Sequence, residues 1–112
     1  MYFLYQQNSS HGKFIGPHFI NIETNSVRKA NKIAENETII YFDGCNKGID
    51  CICCGDRWMR KTYGDDDSLK EQLNLFKNFQ SNDLIYIYDH KTKQEYNINA
   101  YIRLLYERLN KN

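Results

Sequence analysis

Eighteen residues constrain this chain more than all the others: Tyr41 to Trp58, read as YFDGCNKGIDCICCGDRW. All four cysteines and the single tryptophan fall there, with three of the six glycines, three aspartates and an arginine. Glycine costs backbone entropy in regular structure, and aspartate competes with the backbone for its own hydrogen bonds. A segment of this composition does not run as ordinary helix or strand. It reads as a shaped loop, and whatever the chain does is expected to be done there.

The flanking sequence supplies a scaffold. Tyr2 to Gln7 mixes aromatic, aliphatic and Gln residues as a first strand would, and Asn8 to Gly12 is a run of turn formers. An extended stretch from Lys13 to Glu23 follows, bent at Gly16-Pro17, and its Phe19–Glu23 part alternates apolar with polar. The two strands are expected to form a hairpin. Asn25 or Ser26 can cap a helix whose narrow stripe is Val27, Ala30, Ile33 and Ala34 and which ends near Asn36. Thr38–Phe42 is the most strand-like run in the chain.

Beyond the loop, Ser68 and Glu71 form a capping box for a helix with Leu69, Leu73, Phe76 and Phe79 on its buried face. Asp65, Asp66 and Asp67 stand near that helix's positive end, where charge compensation explains them better than a metal does. Leu84–Tyr88 is a strand, a turn at Asp89–Lys93 leads to a partner near Glu95–Ile98, and Asn99 is expected to cap a last helix striped by Tyr101, Leu104, Leu105 and Leu109. The order β-β-α-β-loop-α-β-β-α predicts an α+β fold, a small mostly antiparallel sheet with helices packed on it. Residues 1–112 are expected to make one domain, since 112 residues leave little room for a second core.

Composition excludes some partners. The chain is 41% hydrophobic and 26% charged with a formal net charge of +1, so nothing draws it as a whole to nucleic acid or to an anionic membrane. Arg60 and Lys61 beside Trp58 make one modest basic spot, and the tyrosines at 86, 88, 96, 101 and 106 lack the basic interleaving of an RNA-binding sheet. No apolar run approaches the ~20 residues of a membrane span, and the first residues do not read as a signal peptide. A cytosolic chain with reduced thiols is the expectation.

Three chemistries compete for the loop. Cys51 and Cys54 form a C-x-x-C pair, a usual zinc knuckle, to which Cys45 could add a third thiolate and His11, His18, His90 or Asp50 a fourth ligand. Neighbouring Cys53 and Cys54 are expected to point apart, so they would rarely share an ion. A thioredoxin-type role needs a helix opening at the pair, and Gly55 stands there instead. Nucleophilic catalysis needs a histidine beside the thiol, and all three histidines are remote in sequence.

The plainer reading is that Cys51, Cys53 and Cys54 are small buried hydrophobes shaping a turn together with Gly44, Gly48 and Gly55. That leaves Asp43, Asp50, Asp56, Arg57 and Trp58. They either tie the loop to itself or form a binding site, with the indole stacking on a ring, the guanidinium on phosphate, and a carboxylate on a sugar or base edge.

The run from Tyr41-Phe42-Asp43-Gly44-Cys45 through Gly48-Ile49-Asp50-Cys51-Ile52-Cys53-Cys54-Gly55-Asp56-Arg57-Trp58 resembles a motif of small, uncharacterised bacteriophage proteins. A similar strand–helix lead-in precedes it there, here Phe19–Ile22 and Ser26–Glu35, so the resemblance spans residues 14–58 and is most specific at D-C-x-C-C-G-D-R-W. It implies a phage accessory protein in the cytoplasm of an infected bacterium, and it carries no activity to transfer. The reading that results is a non-enzymatic binding protein for host takeover or counter-defence. It would act through residues 43–58 on a host protein or a small nucleotide-type ligand. The alternative is a zinc-stabilised structural or virion-associated protein holding its ion with Cys45, Cys51 and Cys54.

Overall fold

The structure is a computed structural model that describes residues 1–10 and 12–111. The elements run β1 (Tyr2–Gln6), β2 (Phe19–Glu23), α1 (Val27–Glu37), α2 (Leu69–Lys77), β3 (Tyr86–Asp89), β4 (Gln94–Asn97) and α3 (Ile98–Asn110). The strands form one sheet in the order β1-β2-β3-β4. β1 and β3 pair antiparallel with β2 and β4 respectively, and β2 and β3 pair parallel. This is the α+β fold expected. The parallel central pair requires a long crossover, and everything from α1 to α2 provides it.

Period-two alternation sends each strand's residues to opposite faces, and both faces are buried. On one side Leu4, Phe19 and Ile87 meet Leu73 and Phe76 of α2 and Ile98, Tyr101 and Leu105 of α3. On the other, Phe3, Tyr5, Ile20 and Ile22 meet Ala30 and Ala34 of α1, together with Ile40, Phe42 and Trp58. Small residues on α1 let it lie close to β2, and the large rings of the irregular segment fill the space beside it.

Two expectations are corrected. Thr38–Phe42 is not a strand, although its burial alternates as a strand's would: Ile40 and Phe42 are buried and Ile39 is exposed. The segment lies on the face of the sheet, where Ile40 and Phe42 pack with Tyr5, Ile20 and Ile22, and it joins neither of the sheet's edge strands, β1 and β4. The cap of α3 is Asn97, whose side chain accepts from Ala100 N at 2.8 Å, rather than Asn99. α2 starts as expected, with Ser68 accepting from Glu71 N at 3.2 Å.

Candidate functional site

From Thr38 to Ser68 the chain has no helix or strand, so its conformation must be fixed by side chains. Gly44 O accepts from both Ile49 N (2.9 Å) and Asp50 N (3.0 Å), closing a turn over residues 44–50. The turn brings the Asp50 carboxylate against Gly44 itself: a Cβ there would lie 1.8 Å from Asp50 Oδ2. Gly44 is therefore demanded by close approach, whereas Gly48 and Gly55 are demanded by φ of +74° and +84°.

Asp50 is the hub. Its carboxylate accepts from Tyr41 Oη at 2.5 Å and from Arg57 N at 2.8 Å, and Arg57 Nε lies 3.9 Å away. Arg57 continues inward, donating from Nη1 to Gln7 Oε1 (2.6 Å) and to Lys13 O (2.9 Å), and from Nε to Tyr41 Oη (3.3 Å). Gln7 in turn bonds Ile15 N, Ile15 O and Pro17 O. Removal from water and the Asp50 carboxylate both raise the Tyr41 hydroxyl's pKa. Every buried side-chain nitrogen or oxygen among the described residues has a partner, so the network is closed.

Of the five residues expected to meet a ligand, three are inside. Trp58 is 1% exposed in the core beside α1, and Asp50 and Arg57 are buried in the network above. Asp56 is half-buried and accepts from Cys45 N at 2.9 Å, a bond that holds its carboxyl below the usual range. Asp43 (φ +60°) pairs with Arg60 at 2.8 Å near the surface. These residues are brought together, but mostly to face one another.

Three sulfurs gather at the 51–54 turn, with Cys53 exposed and Cys51 and Cys54 half-buried instead of packed in the core. Cys51 O accepts from Cys54 N and Gly55 N, both at 3.1 Å, and Cys51 N donates to Ser10 Oγ at 3.1 Å. That tight curl gathers Cys51, Cys53 and Cys54, whose sulfurs all lie within 4.8 Å of one another. Cys51 and Cys53 sulfurs are 2.7 Å apart, longer than the ~2.0 Å of a disulfide, and those of Cys53 and Cys54 are 3.9 Å apart.

The expectation that Cys53 and Cys54 diverge is thus corrected, because the curl folds the two side chains back over Cys51. The trio expected for zinc is corrected with it: Cys45 does not join, its thiol being directed to Cys51 O at 3.5 Å. Hydrogen bonds from Cys53 and Cys54 lower the Cys51 pKa, while the Cys51 and Cys54 sulfurs raise Cys53 to about 11. The three thiols could hold a metal ion.

Among the described residues no histidine or carboxylate joins them. Asp50 is committed inward, His90 pairs with Glu37 at 3.2 Å, and His18 packs against Phe14 with centroids 4.6 Å apart and rings tilted by 46°. His11 lies outside the described residues. The loop's tether to the first strand, through Gln7, Asn8 (Nδ2 to Cys54 O, 2.6 Å) and Ser10, was hidden from sequence. Those partners are 41 to 50 residues distant, and no spacing rule links them.

Fold and site together define an α+β domain that carries a trithiol turn on a loop held by a buried aspartate–arginine network. The chain belongs to a family described as a domain of unknown function, DUF7296, whose profile matches residues 1–103. No curated protein and no solved structure matches it.

Proposed function

We propose that the chain is a non-enzymatic binding protein whose 51–54 turn takes a thiophilic metal ion, zinc by its chemistry, and presents it to a protein partner. The observation that carries this is the convergence of three thiols on an outward turn whose base is fixed by buried polar bonds. Zinc bound by thiolates at about 2.3 Å in a tetrahedron spaces its sulfurs about 3.8 Å apart. Cys53 and Cys54 already stand at 3.9 Å, and a side-chain rotation relieves the short Cys51–Cys53 approach. Three protein ligands leave a fourth position for water or for a group of the partner.

A protein suits this surface better than a nucleotide. The indole and guanidinium that would read a base and a phosphate are inside, whereas Ile49 and Ile52 (86% exposed) stand out beside the thiols. Host takeover or counter-defence in an infected bacterium is the setting we propose, supported by the resemblance of the loop to small phage proteins. No helix among the described residues is long and apolar enough to cross a membrane.

Metal analysis of the reduced chain tests the reading. One zinc per chain is expected, together with a thiolate-to-cobalt charge-transfer band on cobalt substitution, and both should vanish in C51S and C54S. A reduced chain that retains no zinc and gives no such band would sink it. The second reading, zinc as a structural staple, is supported by the turn lacking helix or strand on either side. It expects chelation to unfold the chain, whereas a presented ion can be removed from a domain that stays folded.

A further inference from the structure

β1 is an edge strand, and half of its outer edge is covered. In the β1–β2 register the odd-numbered residues face β2, as Gln7 N to His18 O (2.8 Å) and Thr24 N to Met1 O (3.1 Å) show, so Tyr2, Leu4, Gln6 and Asn8 turn their backbone outward. Tyr2 N donates to Asp66 Oδ1 (3.2 Å), Tyr2 O accepts from Asp67 N (2.8 Å), and Leu4 N donates to Asp67 Oδ2 (2.8 Å). At the far end Asn8 N donates to Arg57 O at 2.8 Å. Between these two shoulders Leu4 C=O, Gln6 N–H and Gln6 C=O have no partner among the described residues. They open into a cleft of about 460 Å³ that Met59, Arg60, Lys61 and Leu75 also line.

We propose that this gap is a peptide-binding site, in which an extended segment of a partner protein adds to β1 over two or three residues. A single ligand residue running parallel opposite Tyr5 satisfies Leu4 C=O with its N–H and Gln6 N–H with its C=O. Main-chain bonds of this kind give affinity, and alternate side chains give specificity. Here those side chains meet Met59 on one side of the sheet and Leu75 on the other, so apolar residues at alternate positions fit.

The shoulders choose the occupant. A second copy's β1 is recessed between the same two shoulders, so two such edges cannot reach each other, whereas a protruding extended segment can enter. The site shares Asn8 with the tether of the thiol turn but contains none of the three thiols, and it does not depend on the metal reading. An unpaired edge is otherwise an aggregation hazard that proteins cover, and here a cover is present at both ends and missing in the middle.

A random heptapeptide display library panned against the intact reduced chain tests this, followed by amide exchange measured by NMR with and without each selected peptide. Selected peptides should slow exchange at Gln6 at least tenfold, and Q6P should weaken them at least tenfold. Gln6 N–H faces away from β2, so proline there spares the ladder. If Q6P does not fold, M59E, on an exposed side chain, should weaken the same peptides. Binders that leave Gln6 exchange unchanged, or that bind Q6P and M59E as well as the original chain, overturn the proposal. So does Gln6 protection that rises with protein concentration in the absence of peptide, since the occupant would then be a second copy.

Discussion

The two sides of the sheet each bury a carboxylate with an arginine, and they do so for different ends. On the α2–α3 side Asp89 is 1% exposed and is gripped by Arg108 through two bonds of 2.7 Å. Tyr101 donates to the same carboxylate at 2.6 Å and accepts from Asn21, which pairs with Gln72. Every member of that network sits on a helix or strand already formed by backbone bonds, so it clamps α2 and α3 to β2 and β3. On the other side the Asp50 carboxylate and the Arg57 guanidinium approach only to 3.9 Å, and Asp50 spends its oxygens on the Tyr41 hydroxyl and the Arg57 backbone N–H. There the network substitutes for secondary structure. The first pair fastens elements together; the second gives a segment its shape and so determines where three thiols stand.

That contrast can be broken at its strongest point first. R108M leaves Asp89 buried without its cation and should cost about 3–5 kcal/mol in urea unfolding, with the thiol turn unaffected when the chain is folded. Burial opposes the charge of Asp89, but the Arg108 fork and the Tyr101 hydroxyl prevail and hold its pKa below the ordinary value. A carboxyl lowered by folding stabilises fully above its unfolded value of about 3.9 and loses that contribution as pH falls through the folded one. In R108M the acid-side loss should shrink or reverse, and unfolding between about pH 5 and 3 measures it.

On the loop side G44A should cost about 2–3 kcal/mol, because the new Cβ displaces both the Asp50 carboxylate and the Tyr41 ring and the turn must open. Metal uptake should fall with it, whereas R108M should retain full uptake under folding conditions. Equal uptake in G44A and the original chain would deny Asp50 its shaping role.

Smaller still, Q7A removes one of the two acceptors of the buried Arg57 Nη1 and should cost about 1–2 kcal/mol. Amide exchange should show the loss concentrated at residues 13–17 and 50–57. A uniform loss across the domain would mean that the two sides are one cooperative unit. Least of all, C53S on its exposed turn should change the stability of the metal-free chain by less than about 0.5 kcal/mol while weakening metal binding.

The elements with a local cause were legible. The stripe Ala30–Ala34, the Ser68 cap, the alternation Phe19–Glu23 and the helix face Leu73–Phe76 each follow from a period or a cap within one segment, and together they implied the α+β architecture. Thr38–Phe42 shows where local cause ends: its β-branched and aromatic residues read as a strand, but a strand also needs a partner, and tertiary packing laid this segment on the sheet's face instead of along an edge.

By itself the sequence determined that residues 41–58 would be a shaped loop rather than helix or strand, since glycine, aspartate and cysteine at that density resist both. Only the tertiary structure decided which of its residues face outward. Asp50, Arg57 and Trp58 went inside because Gln7, Tyr41 and the α1 face offered them partners and cover, and the cysteines were left at the turn those bonds created. Asp50 finds Tyr41 and the Arg57 N–H within the loop, 9 and 7 residues away, but the Arg57 guanidinium reaches Gln7, 50 residues away, and that partner no pattern within the loop can encode.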